Sequence, residues 1–177
     1  MACIRFSLLF MAALFAGIAG CGQPVTLIVT SPAFEERDNI PTVHTGVGDN
    51  LSPEINWEKV PEGAETFALI CEDPDAPGGT FIHWVIYNIP GKQRRLMSAI
   101  PTKPELENGI LQGQNDFGRI GYAGPLPPPG RAHRYFFILY ALNVKLKVDP
   151  GLDAAKLREA MEDHILGEGH VMGTFAR

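Results

Sequence analysis

The sequence predicts a mainly β domain with few helices. Three observations lead there. Residues 66–71, 83–89 and 135–142 are apolar runs whose hydrophobic positions fall on both parities. A strand that is apolar on both sides is covered on both sides, so these three read as the central strands of one sheet. Prolines (15) and glycines (19) are frequent but scattered, which gives many turns and no disordered tract. Strands do not alternate with crossover helices, which argues against a doubly wound α/β fold. At 177 residues, the chain has the length of one domain with a sizeable core.

A further strand is expected over residues 25–29, a β-branched run. Residues 31–53 are broken repeatedly by Pro and Gly and read as loop. One stretch predicts a helix, Asp153 to Leu166. Asp153 is the N-cap, Leu157, Met161 and Ile165 recur at four-residue spacing, and Gly167 is the stop.

Residues 1–20 differ from the rest. Arg5 gives a positive start, and Phe6 to Ala19 is apolar apart from Ser7 and Gly17. The run is short for a membrane span, which takes about 20 apolar residues, and has the length of a signal-peptide core. It ends Ile18-Ala19-Gly20-Cys21-Gly22, which resembles the bacterial lipobox, where cleavage precedes a cysteine that then carries a diacylglyceryl group. Two acyl chains anchor stably where one does not. The expected organisation is therefore a lipoprotein signal peptide (1–20), a lipidated Cys21 with a short tether (21–25), and a domain (26–177). Gly22 is not the Asp that resembles an inner-membrane retention signal. The expected location is the cell envelope, on a membrane facing the periplasm or the exterior. Only Cys71 then remains in the domain, inside an apolar run, as an inert buried thiol.

The formal charge of −5, with no Lys/Arg-rich stretch, excludes the electrostatic footprint of a nucleic-acid binder. There is no His-Glu-x-x-His, no Gly-x-Ser-x-Gly and no phosphate-loop lysine motif. Ser31, Ser52 and Ser98 are in no nucleophile context. The chain is accordingly read as a binding protein and not an enzyme, with no cofactor and no metal.

Two segments carry the chemistry. Glu72 to Trp84 leaves one apolar strand, turns through two prolines and two glycines, and enters the next strand at His83. Prolines fix φ, so this is a stiff loop that presents Asp73 and Asp75. It is tight enough to suggest one cis bond at Asp73-Pro74 or Ala76-Pro77. The second segment runs from Gly113-Gln114-Asn115-Asp116-Phe117-Gly118 through Pro127-Pro128-Pro129-Gly130 to His133-Arg134-Tyr135.

With Asn50-Leu51-Ser52-Pro53 and Trp57, these pieces resemble the phosphatidylethanolamine-binding protein family, in its bacterial Raf-kinase-inhibitor-like branch. The similarity spans residue 26 to Arg177. The resemblance implies a large antiparallel sheet packed on a smaller one, with a few peripheral helices and a small anion pocket at one end. It places Asp73, Asp75, His83, Gly113, Asn115, His133 and Tyr135 in that pocket, with His83 and His133 close together beside Asp73. It implies a phosphorylated or anionic small ligand, phospholipid head groups among them, or alternatively a protease or kinase to be inhibited. Backbone N–H groups of a Gly-rich loop can cradle an anion, and a carboxylate orients an imidazole and favours its charged form. Phe175 stands where the family often has Tyr.

Overall fold

The computed structural model describes residues 25–177. The signal peptide, Cys21 and most of the tether expected from the sequence lie outside the described residues. Two sheets and one helix form three layers. The large sheet holds β1 (Val25–Thr26), β9 (Ile165–Phe175), β8 (His133–Leu142), β4 (Thr66–Asp73), β5 (Phe81–Pro90) and β7 (Leu111–Gln112), in that spatial order. The small sheet holds β2 (Ile28–Thr30), β3 (Ile55–Glu58) and β6 (Arg95–Leu96). Helix α1 (Ala154–Met161) covers part of the other face of the large sheet.

The three apolar runs are indeed the central strands, with β4 between β5 and β8. Their two parities serve two cores. Phe67, Leu69, Cys71, Trp84, Tyr135, Phe137 and Leu139 point into the layer between the sheets. Ala68, Ile70, Val85, Tyr87 and Tyr140 face α1 through Leu157 and Met161. Each fully buried large side chain contributes roughly 1.5–3 kcal/mol.

Three expectations change here. The strand over residues 25–29 is two short strands: after Thr26 the chain leaves the large sheet, and from Ile28 it pairs with β3 of the small one. Because β1 runs parallel to β9, the large sheet is mixed and not purely antiparallel. The helix stops at Met161, five residues before Leu166. Asp163 takes a left-handed φ of 65°, the chain reverses, and Ile165 onward is an eleven-residue strand. Gly167 is therefore no helix stop. A Cβ there would lie 2.5 Å from the Val25 carbonyl oxygen, and one at Gly169 would lie 2.3 Å from that of Leu27, so these glycines let the entering chain lie against β9.

The Asp73–Pro77 loop turns without a cis bond, since every described peptide bond is trans. The turn is made instead by Asp73, whose Oδ1 accepts the Asp75 N–H at 2.8 Å. No helix among the described residues is long and apolar enough to cross a membrane.

Candidate functional site

Antiparallel pairing brings three strand ends together. β4 finishes at Asp73, β5 begins at Phe81, and β8 begins at His133. At this end of the inter-sheet layer lies a cavity of about 170 Å³. Asp73, His83, His133 and Tyr135 form its polar part. Its apolar walls are Phe81 and Phe117, with Ala76-Pro77 on one side and Leu126-Pro127-Pro128 on the other.

His133 and Asp73 are both buried, and His133 Nδ1 lies 2.7 Å from Asp73 Oδ2. A carboxylate accepts, so the imidazole donates through Nδ1, and Nε2 is the nitrogen left for an occupant. His83 is held differently. Its Nδ1 donates to the Ala123 carbonyl at 2.6 Å. Its ring packs near Tyr135, Phe81 and Phe117, with centroids 5.1, 5.3 and 5.6 Å away. Burial holds the His83 pKa below the usual imidazole value, against the opposing pull of the Ala123 carbonyl and the Asp73 charge. The two histidines thus line one cavity beside Asp73, one paired with a carboxylate and one with a carbonyl.

Tyr135 is fully buried, and its hydroxyl lies near the Asp73 carboxylate but makes no hydrogen bond of ordinary geometry among the described residues. Burial first, and then the Asp73 charge, push its pKa well above the ordinary phenol value, so it stays protonated. An unpaired buried hydroxyl costs about 1–3 kcal/mol. Here it belongs to the cavity lining.

The remaining expected residues lie outside the lining. Asp75 points away and takes Arg134 in a bidentate pair, with Nε 2.8 Å from Oδ2 and Nη2 2.9 Å from Oδ1; the Arg134 backbone N–H adds a third bond. The Arg134 hydrogen bonds hold the Asp75 carboxyl down at about 2. The backbone N–H groups of residues 113–115 are not free for an anion. Gly113 donates to Val85, Gln114 to Leu152 and Asn115 to Arg119. The Asn115 side chain is the brace of its loop: Oδ1 accepts from the Phe117 and Arg119 N–H groups, and Nδ2 donates to the Gly121 carbonyl. That brace sets Phe117 over the cavity. Phe175, paired with His133 across β8 and β9, is buried in the inter-sheet core.

Sequence reasoning missed the support of His83. Asn50 Oδ1 accepts the Gly124 N–H at 2.7 Å, and the Tyr122 hydroxyl donates to the His44 carbonyl at 2.6 Å. Together they fix the segment that offers the Ala123 carbonyl. The signal in the sequence is Asn50, in the Asn50-Leu51-Ser52-Pro53 motif. The Cys71 thiol is fully buried and its pKa is pushed up by burial, which leaves it a packing residue.

Residues 30–176 match the sequence profile of the family described as phosphatidylethanolamine-binding protein. A UPF0098 protein of Aquifex aeolicus is 48% identical over 151 residues, which cover 84% of this chain and 88% of that one. The UPF0098 protein YbhB of Escherichia coli is 37% identical over 132 residues, 73% of this chain and 84% of YbhB. Among solved structures, E. coli YbcL, described as a new member of the mammalian PEBP family, superposes with a TM-score of 0.80 at 31% identity, covering 86% of this chain and 99% of that one. The PEBP homolog CT736 of Chlamydia trachomatis gives 0.78 at 35% identity, covering 86% and 98%. With the profile spanning nearly all of the described domain and the sheets superposing on solved relatives, the chain belongs to the phosphatidylethanolamine-binding protein family, in the bacterial and archaeal group that includes YbhB and YbcL.

Proposed function

We propose that this protein binds a small phosphorylated or anionic ligand, phospholipid head groups among the candidates, in the Asp73–His133–Tyr135 cavity. The observation that carries the reading is the Tyr135 hydroxyl, a buried donor with no well-formed hydrogen bond, in the same lining as His133 Nε2, which becomes a second donor when the ring is charged. A donor without a partner in an aromatic-walled cavity wants an acceptor-rich guest. Asp73 orients His133 and offsets its charge when it is cationic. Binding, not turnover, is the inferred role. Of the groups beside the dyad, the tyrosine is held protonated, and the Cys71 thiol is buried with its pKa raised. The test is calorimetric titration of wild type and His133→Ala with phosphorylethanolamine at pH 6 and pH 8. Affinity should be higher at pH 6, and the variant should lose about tenfold or more, the worth of a charge-assisted hydrogen bond of about 1.5–3 kcal/mol. Equal affinities with no pH dependence would remove the histidines from the site.

The same reading places the protein in the cell envelope, anchored through a lipidated Cys21. The domain begins its first strand at Val25, which leaves three residues between it and that cysteine. Detergent phase partitioning should send the full-length protein to the membrane phase and Cys21→Ala to the aqueous phase. An unmodified, freely soluble mature wild type would end that part of the reading.

A further inference from the structure

We propose that the cavity selects an oxyanion that still carries a proton, a phosphomonoester or inorganic phosphate as the monoanion, and discriminates against proton-free oxyanions such as sulfate and phosphodiesters. His83 is the residue that reads the proton. The inference rests on the cavity being an anion site, and it narrows the ligand to one chemical class.

The argument is a donor and acceptor count. His133 donates its Nδ1–H to Asp73, and an anion seated against Nε2 favours a second proton there, which makes Nε2–H a donor to the ligand. The Tyr135 hydroxyl is a second donor. His83 works in the opposite sense. The Ala123 carbonyl can only accept, so the proton sits on Nδ1. The ring is 3% exposed and enclosed by Tyr135, Phe81 and Phe117, an environment that disfavours imidazolium. The titratable groups facing it are Asp73 from β4, His133 from β8 and Asp116 from the loop that braces Phe117; the two carboxylates favour the charged ring, a charged His133 opposes it, and burial outweighs the carboxylates. Neutral His83 therefore offers a lone pair at Nε2. The Asp73 carboxylate in the same lining is a second acceptor.

A sulfate or a phosphodiester has nothing to donate, so it would set its own lone pairs against these acceptors. A phosphomonoester monoanion has one hydroxyl for Nε2 of His83 and two unprotonated oxygens for the donors, and the inorganic phosphate monoanion has two of each. Charge points the same way. No lysine or arginine lines the cavity among the described residues, and the nearby Arg134 and Arg131 are drawn to Asp75 outside it. Asp73 and a charged His133 together are neutral, so nothing in the lining compensates a dianion.

The experiment is calorimetric titration of the purified protein at pH 5.5 and fixed ionic strength, where a phosphomonoester, with a second pKa of about 6, is mainly the monoanion. The probes are inorganic phosphate, sulfate, phosphorylethanolamine, and its diester glycerophosphorylethanolamine. Phosphate should bind about tenfold or more tightly than sulfate, and the monoester should exceed the diester by a similar factor, the scale of one mismatched hydrogen bond to a charged group. Sulfate within about threefold of phosphate, with both binding, would overturn the proposal and leave the anion site standing. No binding of any probe would overturn both. His83→Ala should bring the monoester-to-diester ratio, which compares ligands of equal charge at pH 5.5, close to one while far-ultraviolet circular dichroism stays that of wild type. A preserved ratio in a folded variant would clear His83 of the role, and the wild-type ratio stands as a test even if the variant fails to fold.

Discussion

At the end of the large sheet where β8 finishes, Thr66 and Asn88 are buried and fully employed. Thr66 donates to the Val144 carbonyl at 2.6 Å; Asn88 donates to the Leu146 carbonyl at 3.0 Å and accepts the Leu146 N–H at 2.9 Å. At the opposite end Asp73, His83 and His133 are as deeply buried, but the Tyr135 hydroxyl has no partner and each histidine has committed one nitrogen of two. Asn88, with its hydrogen bonds spent on Leu146, borders the larger cavity, about 610 Å³ against about 170 Å³. Volume is thus a poor guide to function here. What separates a site from a surface groove is whether buried polar groups are spent on the chain's own backbone or left for a guest.

The contrast breaks most visibly at Asn88. Its side chain satisfies both backbone groups of Leu146, and its own φ of 56° suits asparagine far better than alanine. Asn88→Ala should cost about 2–4 kcal/mol in urea unfolding, from two orphaned backbone groups and a strained backbone. Phosphorylethanolamine affinity of the folded fraction should be unchanged. A loss under about 0.5 kcal/mol would mean that this end tolerates unsatisfied polar groups as well as the other, and the comparison would fail.

Tyr135→Phe sharpens the same comparison with the opposite sign. It removes an oxygen that has no partner, so stability should hold or rise by up to about 1 kcal/mol. The same change should weaken phosphorylethanolamine about tenfold, because the guest loses a donor. A variant destabilised by more than about 1 kcal/mol with normal affinity would show the hydroxyl to be structural.

The sequence made the central strands easy to read and β9 hard. β4, β5 and β8 carry their burial on both parities as apolar residues. β9 contains Gly167, Gly169 and Gly173 with Glu168 and His170, a composition that lowers strand propensity. It is a strand because it pairs along the whole of β8, and it needs glycine because residues 25–27 and Ile40 lie against it. Both facts belong to distant chain segments. In the site, the nearness of His133 and Asp73 was implied by the family resemblance of the two segments that carry them. Which of Asp73 and Asp75 faces inward did not follow, because a one-turn hydrogen bond from Asp75 N–H to Asp73 decides it. The Leu126–Pro128 wall comes from the proline-rich stretch just before His133.

Asp75 gives the smallest expected effect, and it is visible only through pH. The Arg134 hydrogen bonds lower its folded pKa to about 2, whereas an unfolded Asp titrates near about 3.9. A depressed folded value means that the unfolded chain binds the proton first as pH falls. The stabilisation from the Asp75–Arg134 pair is therefore complete above about pH 4 and fades as pH drops towards about 2. Arg134 is half exposed and solvent screens it, so the gain is modest even where it is complete. Asp75→Asn should be slightly less stable than wild type in urea at pH 5, and the two curves should draw together by pH 2.5. The loop carries Ala76 and Pro77 into the cavity wall, so a small drop in phosphorylethanolamine affinity should accompany the stability loss at pH 5. A gap between the two proteins that stays constant from pH 5 to pH 2.5 would mean that the carboxylate's charge is not what matters at position 75. A large affinity loss with unchanged stability would move Asp75 from the support of the cavity into the cavity itself.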